Sequence, residues 1–128
     1  AAILRVKLSF LDNGNAVRKA VANLYLSEID NPAVRLPVIA SYGVPCWHLF
    51  VVRVKERERF MDYLKNRGIL TAIHYPLPPH KQPANKEMKK CSYPITEKIH
   101  KDVVSLPISS VHTIEDAMRV CEIVKNYP

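Results

Sequence analysis

The sequence has little glycine, three residues in 128. That speaks against a glycine-rich loop whose backbone amides cradle a phosphate, and neither G-x-G-x-x-G nor a P-loop pattern occurs. Cysteine is equally sparse. Cys46, Cys91 and Cys121 are odd in number and far apart, with no C-x-x-C and no histidine at metal-ligand spacing. A disulfide framework and a zinc module are both disfavoured, and free thiols suit a reducing compartment. No apolar run approaches the ~20 residues of a membrane helix, and no signal-peptide pattern is visible. G-x-S-x-G and H-E-x-x-H are missing as well. A cytoplasmic protein with no metal site is expected.

What is present is ordinary for one domain: 48% hydrophobic and 24% charged residues. The net charge is +7, with basic residues concentrated in Lys55–Arg59, Lys65–Arg67 and Lys81–Lys90. "KERERF" alternates in sign and reads as a solvated helix face. No nucleic-acid motif accompanies the basic excess, so neither nucleic acid nor membrane is expected as a partner. The chain opens without Met, directly on a helical pattern, as a piece of something longer would.

Apolar spacing predicts a helix over residues 3–11, a break at "DNGN" (12–15), and a resumed helix from Val17 to about Ile29. The proline-rich 30–45 stretch is a connector with room for a short strand. "WHLFVVRV" (47–54) reads as a buried strand, Lys55–Arg67 as a helix with Gly68 after its end, and "ILTAIHY" (69–75) as a second strand. In that strand Ile69, Thr71, Ile73 and Tyr75 would share one face, and Leu70, Ala72 and His74 the other. Pro76, Pro78 and Pro79 would end its pairing. Residues 80–93 read as a polar loop, "ITEKIHK" as a short helix after Pro94, and "VVSLPI" as a third strand. Thr113 with Asp116 forms a capping box for the last helix. The expected class is an α/β (α+β) two-layer sandwich: a small mixed or antiparallel sheet of about three strands, helices on one face, and a long N-terminal helix before it.

His74 and Tyr75 lead the candidate site residues, because a strand end followed by a rigid proline loop projects side chains. A packed Tyr75 and a backbone-bonded His74 are the structural alternative. His80 in the loop and His48 at a strand start are open to either reading, and Trp47 reads as core. Glu97 and Asp102, with Lys98 and Lys101 between them, read as a solvated face and not as a carboxylate dyad. No complete catalytic set is present.

The ordered series "AAILRVKLSFLD", "WHLFVVRV", "NRGILTAIHYPLPPHKQPA" and "YPITEKIHKDVVSLPIS", then a terminal amphipathic helix, resembles the C-terminal part of the DegT/DnrJ/StrS-type sugar aminotransferases. The most specific pieces are "GI-x-T-x-IHYP-x-P-x-H-x-Q" and "V-x-SLPIS". The resemblance implies a fold-type I enzyme that uses pyridoxal 5'-phosphate to move an amino group from glutamate to a nucleotide-linked keto-sugar. It implies one domain over 1–128: residues 1–29 as the helix entering from a large cofactor domain absent here, and 30–128 as the small α/β domain that closes the site. His74, Tyr75, His80 and His48 are then expected on the substrate side, with no catalytic residue in this chain. No lysine stands in the family's Ser-Phe-x-x-x-Lys-like context, so this chain alone is expected neither to bind the cofactor nor to transaminate. The intact enzyme is expected to be a homodimer. Asn85, Val104, Ser110, Cys46 and the "DNGN" interruption depart from the family pattern. A stand-alone nucleotide-sugar-binding or regulatory domain is the alternative.

Overall fold

The computed structural model describes all residues, Ala1 to Pro128. Its elements run α1 (Ala2–Leu8), α2 (Leu11–Glu28), β1 (Val34–Arg35), β2 (Phe50–Val54), α3 (Arg57–Lys65), α4 (Pro94–Asp102), β3 (Val103–Leu106) and α5 (Ile114–Lys125), with single 3-10 turns at Pro79–Lys81 and Lys86–Met88. The sheet is three-stranded and antiparallel in the order β1-β2-β3.

The register explains the layers. Phe50 lies opposite Leu106 and Val52 opposite Val104, all on the face that carries the core. The branched and aromatic side chains of β2 alternate buried and half-buried, as a one-sided sheet requires. Helices α2, α3 and α5 supply the rest of that core through Val21, Ala22, Tyr25, Phe60, Leu64, Ala117 and Val124, each fully buried. Each fully buried large apolar side chain contributes about 1.5–3 kcal/mol. Tyr25 sets its ring edge-on to Phe50 at 5.0 Å and donates its hydroxyl to the Pro107 carbonyl at 2.7 Å, so its polar end is also satisfied.

Two local expectations change. The helix breaks at Ser9–Phe10, and "DNGN" lies inside α2. Asp12 sits in the first turn of α2, where a carboxylate meets the positive helix end, and Asn15 accepts from Arg18 at 3.1 Å. Gly14 is there for closeness: a Cβ on it would stand 3.2 Å from Cβ of Ser110. The second correction is residues 69–75, read as a strand, which form none; the sheet's remaining strand is Val34–Arg35, within the connector that had room for a short one. Ile69 is tied back to the end of α3 through its N–H on the Leu64 carbonyl at 3.0 Å. Only Ala72 then reaches the edge of β3, as a single bridge to Ser105, before the prolines remove further donors.

The ends of the elements follow the sequence more closely. Thr113 and Asp116 form the reciprocal capping box at α5. Gly68 takes φ +80° just past α3, where a side chain would be strained. Buried Asn31 donates its amide to the carbonyls of Val124 (3.0 Å), Lys125 (3.1 Å) and Tyr127 (2.8 Å), closing the C-terminal end of α5.

Candidate functional site

The His74–Tyr75 segment leaves the sheet edge at Ala72. Inward and outward residues alternate from Ile69 to Ile73, with Leu70 and Ala72 exposed. The alternation ends at His74, whose ring turns to the sheet and meets the Ser105 hydroxyl through Nδ1 at 2.9 Å. Tyr75 is 63% exposed, its ring edge-on to His74 at 5.5 Å. The Tyr75 carbonyl accepts from Nδ1 of His100 at 2.6 Å, so the last turn of α4 holds the backbone that presents the phenol. An imidazole with Nε2 open beside an exposed phenol can bind hydroxyl-bearing ligands, and the ring face can take an apolar sugar or base face.

The loop after Tyr75 is cross-braced. His80 is 3% exposed; its Nε2 donates to Oε1 of Glu97 at 2.9 Å, and its ring packs edge-on against Tyr93 at 4.8 Å. The same carboxylate oxygen accepts the Tyr93 N–H at 3.2 Å. The His80 bond, and then that amide, hold the Glu97 carboxyl below its ordinary value. The Lys81 ammonium donates to the carbonyls of Lys89 (3.2 Å) and Cys91 (2.9 Å), and Asn85 donates to the Pro79 carbonyl at 2.7 Å. Glu97 and Asp102 therefore do not form a merely solvated face. Glu97 ties down the loop, and Asp102 pairs with Arg53 at 3.1 Å.

His74 and Tyr75 come together, with Ser105 and His100 as partners. His80 lies in the adjoining brace, turned away from solvent. His48 precedes the Phe50 end of β2, exposed and without a hydrogen bond to this group. Neighbouring Trp47 is buried against Phe50, in agreement with its reading as core. Sequence reasoning missed Ser105 and His100. They stand 31 and 25 residues from their partners, and no local pattern signals such pairs.

Chemistry centred on a lysine needs a desolvated ammonium in a pocket. Every lysine here is exposed except Lys81, which is engaged by two carbonyls. Burial pushes the Cys121 thiol up to about 11, so it is inert at neutral pH. No group of three or more His, Cys, Asp or Glu side chains converges to hold a metal, and no helix is long and apolar enough to cross a membrane.

Residues 1–125 match the DegT/DnrJ/EryC1/StrS aminotransferase family. The chain belongs to that family. Members of the DegT/DnrJ/EryC1/StrS family are pyridoxal-phosphate-dependent aminotransferases. This one is 53% identical over 127 residues to dTDP-3-amino-3,6-dideoxy-alpha-D-galactopyranose transaminase of Aneurinibacillus thermoaerophilus, across 99% of this chain and 35% of that protein. It is 39% identical to dTDP-3-amino-3,4,6-trideoxy-alpha-D-glucose transaminase of Streptomyces venezuelae, across 99% of this chain and 34% of that one. The X-ray structure of S. venezuelae DesV in complex with a ketimine intermediate superposes with a TM-score of 0.90, at 39% identity, over 97% of this chain and 34% of that one. The chain thus spans about a third of the length of the relatives it matches.

Proposed function

We propose that this chain is the C-terminal small domain of a pyridoxal-phosphate-dependent aminotransferase of nucleotide-linked keto-sugars, and that it closes over the sugar side of the site. The observation that carries the reading is the 53% identity, across nearly all of this chain, to a transaminase of a dTDP-linked amino sugar. In this reading residues 1–29 lead in from the cofactor domain and 30–128 form the closing domain. Tyr75 and His74 face the sugar, and exposed His48 is free to join them. His80 shapes that side from within, by fixing the loop that follows. Glutamate is the amino donor, the intact enzyme is a homodimer, and a reducing cytoplasm suits the three free cysteines.

The cofactor supplies an electron sink for the amino transfer. The residues of this chain do not fit it, because no lysine lies desolvated in a pocket. The reading therefore assigns binding and closure to this chain, and proton transfer at the reacting carbon to residues outside it.

The test is a chimera in which this chain replaces the matching third of the A. thermoaerophilus relative. Turnover by the chimera and none by the isolated chain is the expected result, with Tyr75→Phe in the chimera lowering turnover. Amination of a dTDP-keto-sugar by the isolated chain, or a folded, cofactor-loaded chimera without turnover, would overturn the reading.

A further inference from the structure

A cleft lies on the β1 side of the sheet, away from His74 and Tyr75. Its volume is about 500 Å³, within the range of small-molecule sites. Four cations line it, Arg35, Arg53, Lys55 and Lys98, against the side-chain carboxylates of Glu56 and Asp102 and the terminal carboxylate of Pro128. Both side-chain carboxylates are engaged: Glu56 pairs with Arg59 at 2.7 Å and Asp102 with Arg53 at 3.1 Å. Arg35, Lys55 and Lys98 have no acidic partner.

Two further observations point to an acceptor that belongs in this cleft. Arg35 and Arg53 stand directly opposite each other in the β1–β2 register. Like charges at that position repel; Asp102 offsets Arg53, and Arg35 has no counter-ion of its own. The buried side-chain polar atoms without a hydrogen-bond partner are Nε of Arg53 and the hydroxyl of Tyr127, and both residues line this cleft. Tyr127 is 5% exposed. Both atoms donate, and an unmet buried donor is unfavourable.

We propose that this cleft binds a small phosphate-bearing anion of the diphosphate class. Arg35 and Arg53 clamp it across the strand pair, Lys55 and Lys98 neutralise its outer charge, and Tyr127 donates from below. Phosphate oxygens supply the acceptors that both orphan donors lack, and a guanidinium suits them geometrically. The inference is independent of the sugar-side assignment, since none of these residues bonds to His74 or Tyr75.

The test is calorimetric titration of the chain with inorganic pyrophosphate at fixed salt. One saturable site is expected, with a thermal midpoint that rises with ligand. Arg35→Gln with Lys98→Gln should weaken binding about tenfold or more, and Tyr127→Phe about threefold, in line with lost charge-assisted and neutral hydrogen bonds. Because Arg35→Gln removes a like-charge pair, the unliganded double variant should melt no lower than the parent, which separates lost binding from lost folding. Lys86→Gln with Lys90→Gln, outside the cleft, should leave binding unchanged. No saturable heat, or equal weakening by both double variants, would overturn the proposal. So would displacement of pyrophosphate by a short single-stranded DNA whose own affinity falls equally in both, which would make the basic charge a nucleic-acid face.

Discussion

The core side of this domain and its 70–100 side are held by different physics. Under the sheet, Phe50, Phe60, Val52, Val104 and Val124 exclude water completely, and their stabilisation is non-directional. From His74 to Asp102 the chain is pinned by single directed bonds: His74 to Ser105, His80 to Glu97, His100 to the Tyr75 carbonyl, Arg53 to Asp102. A greasy core tolerates small shifts and fixes the fold. Directed bonds at the surface add little to global stability, but they fix where Tyr75 stands. A binding segment built this way keeps its geometry while its side chains stay exposed.

The contrast can be broken at the core first. Phe60→Ala removes a fully buried ring packed edge-on to Tyr127 at 4.9 Å; about 3–5 kcal/mol of stability should go, read as a large fall in the urea midpoint. Asn31→Ala is intermediate. It is buried like the core yet works through directed bonds to three carbonyls of the α5 end, and should lose about 1–3 kcal/mol in the same experiment. Glu97→Ala should barely move the global midpoint, while hydrogen exchange of amides in 79–97 speeds up and that of β2 and β3 does not.

The same carboxylate gives the pH dependence its sign. Its folded value lies below the ordinary 4.5, so the brace is at full strength above that pH and loosens as pH falls through the folded value. Protection factors of the loop amides, which are exchange rates corrected for the intrinsic pH dependence, should fall below about 4.5 in the parent and stay flat in Glu97→Ala. An unchanged loop in that variant would mean that apolar packing, not the His80–Glu97 bond, holds the segment, and the contrast between the two sides would collapse.

Much of the scaffold was legible because it rests on near neighbours. Thr113 and Asp116 meet across one helical turn, Gly68 ends α3, and β2 reads as a strand from its own branched residues. The failures involve distant partners or weak local signals. "DNGN" contains turn-forming residues, yet it stays helical where Gly14 approaches Ser110. "ILTAIHY" has strand composition, but only Ala72 bridges to β3, and the third strand of the sheet is Val34–Arg35 on the opposite edge, inside the connector that had room for one. The strand end and its prolines single out His74 and Tyr75 as candidates, while His80 is the buried member of a brace whose other half, Glu97, reads as solvated from spacing alone.

By itself the sequence determined which residues could form elements, where helices start and stop, and which residues belong together as a family signature. These depend on propensity, periodicity and capping over a few residues. The tertiary structure alone decided which donors found acceptors. It turned His74 onto Ser105 and His80 onto Glu97, and it set Arg35 opposite Arg53 beside a hydroxyl with no partner. Hydrogen bonds and charge pairs act over about 3–4 Å in space, whatever the separation along the chain, so only the folded arrangement brings them into being.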